Sequence, residues 1–88
     1  MTQKSNYKSS LVAVTTATEA VLPLNKNRTS LILFNTGAED VKVWFETNTT
    51  MFFLVEAGKG VHFIGAAPIN AINCTVGTGT SSLTVLEA

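Results

Sequence analysis

The chain reads as an all-β protein, a small antiparallel sandwich of about eight short strands, and three observations predict it. Apolar stretches of four to seven residues recur along the chain with a period of two, and none shows the i, i+3, i+4, i+7 recurrence of a helix. The stretches are rich in Val, Ile, Phe and Thr, whose branched or flat side chains fit a pleated surface. Between them lie clusters that supply the backbone angles of tight turns: Asn25-Lys26-Asn27, Asn35-Thr36-Gly37, Gly58-Lys59-Gly60, Pro68 and Gly77-Thr78-Gly79. Short strands at near-regular spacing with such turns mean a sandwich or small barrel. The pattern leaves the topology, jelly-roll or immunoglobulin-like, open.

Taken in order, residues 1–10 hold no aliphatic side chain after Met1 and carry Lys4 and Lys8, which predicts a flexible N-terminal arm. A single domain over 11–88 follows, with strands expected at Leu11 to Thr15, Glu19 to Leu24, Thr29 to Asn35, Val41 to Glu46, Phe52 to Glu56, Val61 to Ile64, Ala71 to Val76 and Ser82 to Glu87. Eighty-eight residues leave no room for a second core.

Alternation sorts the faces. Val41, Val43 and Phe45 point to the core, which leaves Trp44 with Lys42 and Glu46 on the outside. In Ser30-Leu31-Ile32-Leu33-Phe34 both faces are apolar, as they are where Phe52 and Leu54 oppose Phe53 and Val55. A two-sheet sandwich has one inner face per sheet, so the second apolar face needs cover from elsewhere. The candidate protein-contact residues are therefore Ile32, Phe34, Trp44 and the Phe52 and Phe53 pair, with Tyr7 of the arm, since aromatic residues concentrate where proteins meet.

Groups that carry chemistry are scarce. His62 is the single imidazole and Cys74 the single thiol, too few soft ligands for a zinc site and without a local signature for a nucleophile and base. A lone cysteine also excludes a disulfide-stapled mini-domain. Glu39-Asp40 and Glu46 read as turn charges, not as a paired-carboxylate centre. The Gly-x-Gly pairs open no helix and so read as turns, not phosphate loops. The sequons at Asn27, Asn48 and Asn73 read as chance triplets in an Asn- and Thr-rich chain. Six basic residues balance six acidic ones, so there is no field to gather nucleic acid, and Lys26 with Arg28 reads as the flank of a turn. No run reaches the roughly 18 apolar residues of a membrane span. The expectation is a protein without enzymatic activity, cofactor, metal, nucleic-acid partner or membrane.

The stretch Leu22-Pro23-Leu24-Asn25-Lys26-Asn27-Arg28-Thr29-Ser30-Leu31-Ile32-Leu33-Phe34-Asn35, followed by Val41-Lys42-Val43-Trp44-Phe45, resembles small virion proteins of tailed bacteriophages. There, a Pro-x-Asn-x-x-Arg turn leads into an aliphatic strand ending in Asn and then a Val-x-Val strand; Ala67-Pro68-Ile69-Asn70-Ala71-Ile72 and Leu83-Thr84-Val85-Leu86-Glu87 fit as well. The resemblance implies a non-enzymatic β-sandwich of the capsid decoration or cement type, located in the virion after assembly in the host cytoplasm. Its partners would be the major capsid or other virion proteins and further copies of itself, a trimer being the expected form. A head-to-tail joining or tail component is the structural alternative. A carbohydrate-binding module, with Trp44 as the stacking platform, is the alternative of another class.

Overall fold

The computed structural model describes residues 7–47 and 50–88. Residues 1–6 of the expected arm, and Asn48 and Thr49 of one sequon, lie outside the described residues. Eight strands form: β1 (Lys8–Val14), β2 (Glu19–Leu22), β3 (Ser30–Asn35), β4 (Val41–Phe45), β5 (Phe52–Val55), β6 (Gly60–Ile64), β7 (Ile72–Val76) and β8 (Ser81–Glu87). The expected strands are all present, with shifted ends. Strand β1 starts at Lys8, three residues inside the stretch read as an arm, because Lys8, Ser9 and Ser10 pair with Glu87, Leu86 and Val85 of β8. Polar composition had argued for an arm, but an edge strand exposed on both sides has no need of apolar residues. Strand β2 stops at Leu22, before Pro23, whose missing N–H ends the ladder. Strand β4 stops at Phe45 because Glu46 takes a left-handed φ of 56°.

The strands build two antiparallel sheets of four, ordered β1-β8-β3-β6 and β2-β7-β4-β5. Among these strands, only β4 and β5 are neighbours in both sequence and sheet. The pairings β4 with β5, β3 with β6, β2 with β7 and β1 with β8 describe one long hairpin folded at the β4–β5 turn. The contacts of β3 with β8 and of β4 with β7 roll that hairpin into two sheets. This is the strand order of a jelly roll. An immunoglobulin-like sandwich would instead keep its first two strands in one sheet; here β1 and β2 lie in different sheets.

Leu31, Leu33, Leu83, Val85 and Val14 from the first sheet meet Val41, Val43, Val55, Ile72 and Cys74 from the second in a fully buried core. Phe53 lies between Phe45 and Phe63, with ring centroids 5.9 and 6.5 Å away, and fills one end of it. Burial pushes the Cys74 thiol up to about 12, with the Glu19 charge adding to the rise, so it is an inert core side chain.

Each end of the roll is closed by one buried polar residue. At the end bearing the β2–β3, β4–β5 and β6–β7 connections, Arg28 donates from Nη2 to Pro23 O at 2.8 Å and from Nη1 to Pro68 O and Asn70 O at 2.8 and 3.0 Å. Its Nε donates to Glu87 Oε2 at 2.7 Å. The Pro-x-Asn-x-x-Arg turn is thus an anchor for three segments, and Arg28 is buried instead of flanking a turn in solvent. At the other end Asn35, fully buried, donates from Nδ2 to Glu39 O at 2.7 Å and Val55 O at 2.8 Å. Its Oδ1 accepts from Gly37 N at 3.0 Å and from Ser81 Oγ at 2.7 Å.

Candidate functional site

The residues with the strongest claim to function lie on the outer faces of the two sheets, and the register fixes which side chains share each face. Cross-strand partners in an antiparallel ladder point to the same side. In the first sheet Leu11, Thr84, Phe34 and Gly60 form one row, and Ser9, Leu86, Ile32 and His62 the next. Ser30 with Ile64, and Ala13 with Ser82, extend it. No Asp, Glu, Lys or Arg stands in these rows. Leu11 is 69% exposed, Ile64 62% and Phe34 42%, with Ile32 and Leu86 half-buried between them. This is a contiguous apolar face with only hydroxyls and one exposed imidazole as polar groups.

The second sheet's outer face carries Ala20, Asn73, Trp44 and Phe52 in one row and Thr75, Lys42 and Leu54 in the next. Phe52 and Leu54 are half-exposed, and the Lys42 ammonium stands 4.9 Å from the centre of the Phe52 ring. Met51, beside β5, is largely exposed. An open groove of about 440 Å³ borders this face, lined by Leu54, Lys42, Asp40 and Glu39 with the Gly77-Thr78 turn.

The structure divides the sequence-derived candidates. Ile32 and Phe34 stand together on the first outer face, and Phe52 lies on the opposite one, so they are two surfaces and not one patch. Tyr7 is exposed just ahead of β1. Phe53 turns inward, half-buried, against the aromatic end of the core. Trp44 lies on the outward side of β4, as alternation requires, yet is only 4% exposed between Phe52 and Asn73. Alternation gives a side chain's direction and says nothing of what covers it. Leu11, Ile64 and Leu86 were missed. The apolar Leu86 and Ile64 in otherwise outward positions were visible, but Leu11 joins Phe34 only through Thr84 of a strand more than seventy residues further along.

Of the remaining candidates, two carboxylates are engaged in turns. Asp40 Oδ1 accepts from Ala57 N at 3.0 Å, and Glu46 Oε1 accepts from Asn70 Nδ2 and Ala71 N, so these carboxylates hold turns. His62 lies on the first outer face opposite Ile32. Among the described residues no group of three His, Cys, Asp or Glu side chains is placed to hold a metal, and no helix is long and apolar enough to cross a membrane. What the fold and faces define is a small jelly roll with one sheet whose outer face is uncharged. Comparison with known proteins yields no relative: no family model, curated protein or solved structure matches the chain.

Proposed function

We propose that the protein is a non-enzymatic virion structural protein of the capsid decoration or cement type, docking through the outer face of the β1-β8-β3-β6 sheet. The observation that carries this reading is that face: Leu11, Ile32, Phe34, Ile64 and Leu86 form an apolar surface without a single formal charge. Such a surface on a soluble domain marks a place of protein contact. The fold supports the reading by analogy, since eight-stranded jelly rolls recur in viral capsid domains, as does the bacteriophage resemblance of the Leu22 to Phe45 stretch. Each copy would bridge neighbouring shell subunits and remove apolar area from water at about 25 cal/mol per Å². Small gains repeated over a lattice then stiffen the shell. Jelly rolls also occur among lectins, but Trp44 offers no open ring face for a sugar to stack on.

The test mixes the purified protein with shells assembled from the major capsid protein of a tailed bacteriophage that encodes this chain. Co-sedimentation and a higher shell melting temperature are expected, both lost in Phe34→Asp. Absence of binding, or binding that Phe34→Asp leaves intact, overturns the assignment of this face.

A further inference from the structure

We propose that β1 is the pairing edge for a second copy of this chain, a two-fold antiparallel β1–β1 contact that fuses two four-stranded sheets into one continuous sheet. An edge strand presents a row of unpaired N–H and C=O groups, and soluble proteins blunt it with short length, a bulge, Pro, or a charge within the strand. The four edges here are β1 and β6 in one sheet and β2 and β5 in the other. Strands β2 and β5 have four residues each, and β2 also has a register shift between Ala20 and Leu22. Strand β6 has five, and its Phe63 is drawn into the core against Phe53. Strand β1 has seven, in unbroken register with β8, and contains no Pro. Its one charge, Lys8, stands at the very start, and Ser9, Ser10 and Leu11 are exposed. Apart from Lys8 at its first position, none of these devices is present in the strand.

The sequence of β1 suits its own copy. Centring the two-fold axis on Leu11 pairs all seven residues: Lys8 faces Val14 of the second copy, Ser9 faces Ala13, Ser10 faces Val12, and Leu11 faces itself. Side chains that line the outer face then meet outer ones and inner meet inner, whereas a slip of one residue would mix the faces. The two Lys8 side chains are held at opposite ends of the contact, about 20 Å apart at ~3.4 Å per residue. That exceeds the screening length of about 8 Å at physiological salt. The small Ser9 and Ala13 leave room around the two Leu11 side chains, which bury one another. The uncharged outer faces of the copies become one surface across the joint. This two-fold contact differs from the trimer expected from the resemblance, and because it is read on the free protein it stands or falls separately from shell binding.

The experiment is light scattering on a gel-filtered peak with three variants. The free protein is expected at twice its 9.4 kDa chain mass. Leu11→Lys, which puts two charges on the axis, is expected to weaken association about tenfold or more with an unchanged circular dichroism spectrum. Facing residues of antiparallel strands lie about 4.5–5.5 Å apart at Cα, within disulfide range, so Leu11→Cys is expected to form a linked dimer on oxidation. Phe34→Cys, in the middle of the face, is not. A monomer at about 100 µM, a three-copy mass, or linkage through Phe34→Cys but not Leu11→Cys overturns the proposal. If Leu11→Lys fails to fold, the wild-type mass and the two cysteine variants decide it.

Discussion

Arg28 Nε donates to Glu87 Oε2 at 2.7 Å, and this ion pair fastens the connection into β3 to the end of β8. The Arg28 side chain is fully buried, that of Glu87 partly exposed, and Asn25 Nδ2 donates to the same oxygen at 3.1 Å. Removing Arg28 leaves the part-buried Glu87 without its partner charge and the carbonyls of Pro23, Pro68 and Asn70 without its donors. Arg28→Ala is expected to cost about 3–5 kcal/mol in urea unfolding, and Glu87→Gln, which can still accept from Arg28, about 1–2 kcal/mol. Equal losses would show that the three carbonyl bonds carry nothing.

The same pair sets an acid limit. Burial alone would raise the Glu87 pKa, but the hydrogen bonds from Arg28 and Asn25 and the charges of Arg28 and Lys8 outweigh it and hold the carboxyl below its ordinary 4.5. As pH falls, the unfolded chain takes up this proton first. The stability Glu87 contributes is therefore complete above pH 4.5 and is lost as pH drops through the lower folded value. Unfolding midpoints of wild type and Glu87→Gln should differ at neutral pH and converge in acid. A constant gap across that range refutes the linkage.

At the opposite end of the roll, Asn35 uses both ends of its amide, with two carbonyls facing Nδ2 and two donors facing Oδ1. Asn35→Ala strands these groups without solvent and is expected to cost about 2–4 kcal/mol, at about 1–3 kcal/mol for each unsatisfied buried group. Asn35→Asp should be worse at neutral pH, because a carboxylate oxygen would face Glu39 O and Val55 O. An Asp variant as stable as wild type at neutral pH would show that the donation from Nδ2 to these two carbonyls contributes nothing to stability.

Close packing at this end also singles out one glycine. A Cβ on Gly37 would lie 2.6 Å from Ser82 N and 2.7 Å from Ser81 Cα, whereas one on Gly77 would meet nothing within 4 Å. Gly37→Ala should thus unfold at clearly lower temperature than Gly77→Ala, which should match wild type within the usual surface spread of about 0.5 kcal/mol. Matching melting curves would show that the β7–β8 turn yields to Gly37.

The strands were legible because alternation and turn residues are local signals: Val41, Val43 and the Asn35-Thr36-Gly37 turn need no tertiary information. The buried polar anchors were not. Arg28 and Asn35 look like turn residues until partners 40 and 20 positions away, Pro68 and Val55, come beside them. Sheet order was equally hidden, since long-range register, not local pattern, places Leu11, Thr84 and Phe34 in one row. Two of the five residues of the candidate face, Ile32 and Phe34, came from β3 alone, where two apolar faces on one short strand could not both be core.

Trp44 is where direction and burial part company, and it supplies its own probe as the single tryptophan of the chain. It shares an outward row with Phe52, its partner on β5, yet is 4% exposed where Phe52 is 43%. Trp44→Ala is therefore expected to cost the fold about 3–5 kcal/mol, as removal of a large buried side chain does. Phe52→Ala should cost about 0.5–1 kcal/mol, mainly its contact with the Lys42 ammonium. Tryptophan emission should be blue-shifted in the native state and move to the red on unfolding, with a midpoint that follows circular dichroism. Red native emission with an unchanged unfolding midpoint in Trp44→Ala would return Trp44 to the surface and reopen its role as an anchor for a partner. Blue emission with a large loss makes Trp44 part of the folded scaffold beside Phe52.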